Sequence, residues 1–563
     1  MITYSHTTIS EKITLYLKPA FYFLVFIFFL ASCDEQKSPD NNRIIIGIES
    51  DVQTFNPMFA YNVIEGHLVD LLYLKPALEI WNDSLGLIEF APMLAQKWEW
   101  DENSTSITLY LRDNIYWSDD KPITADDIIF SFETYSDPEV DSRFLGQFYN
   151  FHTIDGSQID SKKTFEVISP KILRINFLED ALPTLLDINL EIIPKHIWSK
   201  YPKGEMATAQ ENFEPITSGP FKLSKWNRMS TIHFDIDSTS FLFNPDNIQK
   251  IIFKIIPDYT SRINQLKTGE IDLVENIKSE DINEIYTAKE LKTVSLRGRE
   301  YDYIGWNHID PQAFQQNQII PNKYFSSPQI RKALTYAINR QEIVDSYLSG
   351  YAEVSKGPVS PMFKLYFNDS LVMDEYNPGK AREILKANGW IDKNNDGIIE
   401  RGEIEFKIDI YTNSGNPRRE YVATIVKNNL HAIGIDVNIQ ILESGGFIDG
   451  LMKRNFDAWI SGWTIPVPID LYPFWYYDPE VGIFNFSTYQ GKVKDEILDS
   501  LALKLTEEEK INLYKKLQDK FYNDEPVTFL YWFDNIIVYN KRISKIKLSQ
   551  LGLVMNAWEW QVD

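Results

Sequence analysis

Ile404-Glu-Phe-Lys-Ile-Asp-Ile-Tyr411, then Arg418 to Ile433, then Gly434, then Ile435-Asp-Val-Asn-Ile-Gln-Ile-Leu442 decide the fold class. The first and last stretches alternate apolar and polar residues with period two, the signature of a strand. The middle stretch repeats at helical spacing, and Gly434 supplies the left-handed residue that ends a helix. Strand, helix and strand in this order predict a βαβ unit with a parallel pair, so the chain is read as α/β. Working outward, Arg43-Ile-Ile-Ile-Gly-Ile48 reads as a buried strand, and Asp51 to Pro57 leads into an apolar helix from about Val63. Ser106 to Arg112 alternates like a half-exposed strand, and Thr124 with Asp127 forms a capping box opening a helix. Ser327-Pro328 starts a helix to Arg340, Thr506 with Glu509 caps a long helix through Lys520, and Pro526 to Phe533 reads as a buried strand.

The whole chain has 563 residues, 44% hydrophobic, 24% charged and 14% aromatic. This is enough for roughly two to four domains and excludes a disordered chain. A net charge of −24, from 56 basic and 80 acidic side chains, repels a polyanion, which excludes nucleic acid as a partner class. One cysteine excludes a disulfide framework and cysteine-clustered metal sites.

That cysteine lies at the end of an address. Lys12 and Lys18 precede the apolar run Ala20 to Ala31, too short to span a bilayer as a helix but fitting the core of a secretory signal. The run ends Leu30-Ala31-Ser32-Cys33, similar to a bacterial lipobox, which directs lipid onto the thiol and cleavage before it. The alternative is a short membrane anchor with an incidental cysteine. Cleavage removes Glu11, Lys12 and Lys18, leaving 79 acidic and 54 basic residues. Asp34 to Asn42 has nothing apolar to bury and reads as a solvated tether. The body beyond it is expected outside the cytoplasm, lipid-anchored in the cell envelope on the periplasmic side or at the cell surface.

No nucleophile elbow, zinc-protease motif, phosphate loop or dinucleotide fingerprint occurs, and the seven histidines are scattered, so catalysis is unsupported. One chemical pattern stands out. Asp392-Lys-Asn394-Asn-Asp396-Gly397-Ile398-Ile-Glu400-Arg-Gly-Glu403 follows calcium-loop grammar, with side-chain ligands at Asp392, Asn394, Asp396 and Glu403 and the Ile398 carbonyl. The same residues also make a metal-free loop of Asx turns, because a strand follows where a second helix would complete the hand.

Several segments in order resemble one family: Ala91 to Trp98, Asn114 to Phe132, Thr217 to Leu223, Leu266 to Asp272, Ile330 to Arg340 and Asn377 to Leu385, the last running on to Gly389-Trp390. They are similar to extracellular solute-binding proteins of oligopeptide and dipeptide ABC importers, family 5 type, from about residue 43 to about 540. The resemblance implies two α/β lobes of the periplasmic-binding-protein fold, with an extra subdomain on the first. The first lobe would take 43–75, 200–300 and 529–563, the extra subdomain 76–199 and the second lobe 301–528, after a signal at 1–32 and a tether at 33–42. Crossings fall near Tyr301 to Asn307 and Asp524 to Leu530. The implied partners are a peptide or similar solute and an ABC permease in the membrane, with the protein itself a monomer. No cofactor is required, calcium in the 392–403 loop being the one candidate.

In such proteins a peptide lies between the lobes as an added strand, and hinge closure holds it. Asp457 to Trp475 resembles the cleft-lining stretch of the second lobe. Relatives usually place an amine-binding aspartate shortly after the tryptophan corresponding to Trp463, whereas here Pro466 and Val467 stand there and Asp470 aligns with a turn aspartate. Tyr73, Trp306, Trp463 and Trp475 are read as either ligand walls or core aromatics, and Asn307 as a side chain able to meet a ligand backbone. The function implied is the lipid-anchored binding component of an importer. The alternative is a surface or envelope module, such as a receptor, sensor or chaperone, without one.

Overall fold

The structure, a computed structural model, describes residues 42–563. Cys33, the signal at 1–32 and nearly all of the tether therefore lie outside the described residues. Among those described, no helix is long and apolar enough to cross a membrane.

An 11-stranded sheet runs through the molecule. One side is built, in spatial order, from Phe221–Asn227, Thr231–Ile236, Lys250–Ile255, Arg43–Ile48 and Leu273–Val274. The other side consists of Ala458–Thr464, Lys407–Asn413 and Asp436–Leu442. Between them lie two long antiparallel strands, Leu291–Trp306 and Val527–Asn540, paired from Leu291 opposite Asn540 to Gly305 opposite Val527. Ala352–Val354 adds to the second of these strands.

The βαβ unit forms as its periodicity predicts. Lys407–Asn413 lies parallel to Asp436–Leu442, the helix Pro417–His431 joins them, and Gly434 takes φ +88°. The Thr124–Asp127 and Thr506–Glu509 capping boxes are both present. The strand read from Pro526 to Phe533 runs on to Asn540, because Ile536 and Val538 bury against a small core with Ile263, Leu266 and Ile282.

The cores divide at the long strand pair. One large apolar cluster joins Arg43–Ile48, Lys250–Ile255 and the C-terminal Leu553 to Trp560 to the residues around a four-stranded sheet, whose strands include Ser106–Leu111 and Ile172–Asn176. Two further clusters lie on opposite faces of the other side of the sheet, one containing Ile304 and Trp306, the other Tyr301 and Tyr303. Alternation along a single strand thus feeds two cores. Midway, at Gly298 to Glu300 opposite Phe533, the register slips. A Cβ on Gly298 would come within 2.2 Å of the Phe533 carbonyl oxygen, so the close approach there requires glycine.

Candidate functional site

A cavity of about 640 Å³ opens where the two sides of the molecule face each other beyond the strand pair. From one side it is lined by Trp81, Phe90, Phe148 and Leu186, and from the other by Phe363, Tyr366, Val467, Ile469 and Tyr514. Its few charged groups are Asp187, Glu507 and Lys510. A largely apolar cleft with few polar groups, sited between two halves, is the geometry expected of a small-solute site.

The hairpin Ala77–Asn82 and Leu87–Pro92 closes the cavity by reaching across to the opposite half. Its tip docks by backbone: Leu365 N donates to Leu85 O at 2.8 Å, and Lys364 Nζ donates to Asp83 O. Trp81 meets Phe363 edge-on with ring centroids 6.0 Å apart. Gly86 makes the approach possible, with φ +71° and a virtual Cβ 2.1 Å from Met362 O. Asn82-Asp-Ser-Leu-Gly86 between two strand-like runs was a readable turn signal, but nothing in it announced a docking partner 280 residues away.

Of the residues predicted for the site, the structure brings the stretch after Trp463 to the cavity. Trp463 is half-buried, with Phe474, Phe484 and Phe486 around it at 5.0–5.4 Å. Asp470 is exposed and its Oδ1 accepts from Tyr472 N at 2.9 Å, an Asx turn leading into the short helix Tyr472–Trp475. The turn role is therefore the one its geometry displays.

The other predicted residues lie elsewhere. Trp306 is wholly buried, packed on Phe325 with Nε1 donating to Thr528 Oγ1 at 3.0 Å, because its strand position faces the core rather than the cleft. Asn307 is equally buried. It donates to Phe456 O, and its Oδ1 accepts from Ile309 N, so no polar atom is left for a ligand backbone. Trp475 packs against Phe521 and Phe529. Tyr73 is 2% exposed and borders a separate small space with Asp70, Lys75 and Met555, and burial pushes its hydroxyl pKa up.

The calcium reading is not supported. Among the described residues no group of three or more His, Cys, Asp or Glu side chains could hold a metal ion. Asp392 accepts from Gly397 N, Asp396 from Ile398 N, and Asn394 exchanges hydrogen bonds with Asp396, while Asp392 Oδ1 and Glu400 Oε2 are buried without a hydrogen-bond partner. Glu403, counted as the twelfth-position ligand, sits exposed in the turn between two short strands, Glu400–Arg401 and Ile404–Glu405. The hydrogen bonds within the loop are those of Asx turns.

The charges nearest the crossing are distinctive. Asp302, fully buried on Leu291–Trp306, accepts from Arg418 Nε and Arg419 Nε, both at 3.0 Å, and from Tyr531 at 3.3 Å. Arg418 also lies over the Phe533 ring at 3.9 Å. Tyr303, behind this network, has its hydroxyl pKa pushed up to about 12 by burial.

Comparison with known proteins now fixes the class. Residues 89–484 match the bacterial extracellular solute-binding proteins, family 5. The chain belongs to that family, and it is a binding protein rather than an enzyme. It is 27% identical to the oligopeptide-binding protein AppA of Bacillus subtilis, over 95% of this chain and 97% of that one. The structure of AppA from Bacillus subtilis in complex with a nonapeptide superposes with a TM-score of 0.67 at 24% identity, covering 92% of this chain and 99% of that one. The substrate-binding protein CtaP of Listeria monocytogenes superposes with a TM-score of 0.75 at 20% identity, covering 93% and 99%. The fold is therefore the two-lobe periplasmic-binding-protein fold of this family.

Proposed function

We propose that this protein is the lipid-anchored, substrate-binding component of an ABC importer, capturing peptides or similar solutes between its lobes and presenting them to a membrane permease. The observation that carries the reading is the inter-lobe cavity, walled on one side by Val467 and Ile469 just beyond Trp463, in a chain similar over nearly its whole length to an oligopeptide-binding protein. Apolar walls with a few dispersed charges suit varied side chains held by main-chain contacts. The two lobes, 43–75 with 200–300 and 529–563, and 301–528, would close about the strand pair, with 76–199 as the extra subdomain. Bound solute then favours the closed form by its differential affinity, and the closed form is what a permease would read. Acylation of Cys33 would hold the body at the membrane as a monomer.

Mass spectrometry of solute released from natively purified protein tests the reading. Peptides are the expected product, and a purified protein that neither carries solute nor binds peptide pools would defeat it. Cys33→Ala is expected to move the protein from the membrane to the soluble fraction, since lipid supplies the proposed anchor. Membrane retention of that variant would remove the lipoprotein reading.

A further inference from the structure

Arg299 lies in the register slip at the crossing, three residues before Asp302. Its backbone is fixed on both sides: Ser360 Oγ donates to Gly298 O at 2.6 Å, and Ile465 N donates to Arg299 O at 2.9 Å. Its guanidinium makes one hydrogen bond, Nη1 to Ile465 O at 3.0 Å, and no ion pair among the described residues. A guanidinium carries five N–H donors in a planar fork. The half-buried Arg299 therefore holds most of its donors unused, in a chain where acidic residues outnumber basic ones by 79 to 54 after the signal.

Its direction follows from the ladder. Glu300 pairs with Thr464 and Tyr301 with Trp463, so Arg299 stands opposite Ile465, on the face that Tyr301 and Trp463 share. From Ile465 the chain continues into Val467, Pro468 and Ile469, which line the cavity. The neighbouring carboxylate, Glu300, is turned to Arg418 at 3.7 Å. Desolvation lowers the Arg299 pKa.

The other half of the argument concerns the amine. Pro466 and Val467 occupy the place where an amine-binding aspartate would stand, and Asp470 makes an Asx turn to Tyr472 N. The place beside Trp463 thus holds no carboxylate at Pro466 or Val467, while Arg299, opposite Ile465 and so two residues along from the cavity-lining Val467, has donors to spare. Lys510, the cation in the cavity wall, makes no ion pair among the described residues either, but its ammonium is a point charge on a flexible stem and lacks the planar fork that fits a carboxylate.

We propose that Arg299 is the anion anchor of the cleft, binding a carboxylate of the captured solute through its planar fork, so that recognition runs through the acid end of the ligand rather than an ammonium. This deepens the solute-binding reading and rests on it.

The test uses mature full-length protein stripped of bound solute and two pools of random hexapeptides made without Asp or Glu, one of free acids and one of C-terminal amides. Calorimetry is run on wild type, Arg299→Gln, Arg299→Lys and Lys510→Gln, with melting curves confirming that each is folded. The expected result is at least tenfold tighter binding of free acids by wild type, levelled in Arg299→Gln, partly kept in Arg299→Lys and unchanged in Lys510→Gln. Equal binding of acids and amides by wild type overturns the anchor while leaving the peptide reading intact. So does discrimination that survives Arg299→Gln, or that vanishes only in Lys510→Gln. If neither pool binds, the peptide reading fails instead, and solute released from native protein becomes the probe: it must carry a carboxylate and lose at least tenfold in affinity on methyl esterification, or the anchor falls too.

Discussion

Asp302 and Arg299 are three residues apart on one strand and carry opposite charges, yet they are used in opposite ways. Asp302 has no exposed surface and is held by two arginines and a tyrosine. Arg299 is half-buried and meets one carbonyl. A buried charge persists only when it is paired and hydrogen-bonded, so Asp302 reads as a completed structural knot. A partly desolvated charge with unused donors is incomplete until something arrives. The difference teaches how to separate scaffold from site in a charged protein: the criterion is unsatisfied capacity, not burial alone.

The largest expected effect breaks the knot. Asp302→Asn leaves Arg418 and Arg419 confronting each other without their shared acceptor, at an expected cost of about 3–5 kcal/mol. Arg299→Gln removes one hydrogen bond at a part-exposed position and is expected to cost about 1 kcal/mol or less. Denaturant melts of the two variants check the contrast. Equal destabilisation would show that Arg299 is scaffold as well.

Next comes the hairpin that closes the cavity. In Gly86→Val a side chain must adopt φ +71° and meet the Met362 carbonyl, so the docked tip is expected to lose about 1–3 kcal/mol. The Asp302 network, which lies on the strand pair and its neighbouring helix, is untouched by this change. Solute affinity should therefore fall, and the radius of gyration by X-ray scattering should rise, while global stability changes little. A variant that binds and scatters like wild type would show that the hairpin does not control closure.

Much of this was legible in the sequence. The βαβ unit from Lys407 to Leu442 was, because its periodicities are local, and Gly434 and the two capping boxes were for the same reason. The binding-protein class was legible from segments spread over the whole chain. The site was less so. Trp306 and Trp463 are alike as residue types, and only the strand register shows that one enters the core behind Phe325 while the other faces Phe484. The loop at Asp392 obeyed calcium grammar letter by letter, but Glu403 was carried away by the strand pairing of Arg401 with Ile404. Arg299 passed unnoticed because an arginine next to a glutamate looks paired in sequence, and the structure gives that glutamate to Arg418. The hairpin's partner, Met362 to Leu365, could come only from tertiary contact.

The smallest expected effect sharpens the comparison at the residue between the two charges. Glu300 has its carboxyl pKa raised, first by desolvation, with Arg418 the leading opposing influence and Arg299 a further one. A carboxyl that holds its proton more tightly when folded contributes stability that is fully present below its unfolded value, about 4.3, and is lost as pH climbs through the higher folded value. Glu300→Gln removes that dependence. The melting temperature of Glu300→Gln relative to wild type should therefore rise as pH goes from 4 to 7, by an amount limited by the partial exposure of the side chain. If Arg299 is unspent and close enough to help hold Glu300 ionised, the rise should steepen in an Arg299→Gln background, because the carboxylate then keeps only Arg418 and Arg419. An Asp302→Asn background should instead flatten it, since Asp302 adds a like charge that raises the Glu300 pKa and frees both arginines when removed. Melting temperatures across this pH range for the six proteins settle the matter. A slope that is the same in all three backgrounds would mean that Glu300 feels neither neighbour, and that the two charges flanking it are not part of one electrostatic site.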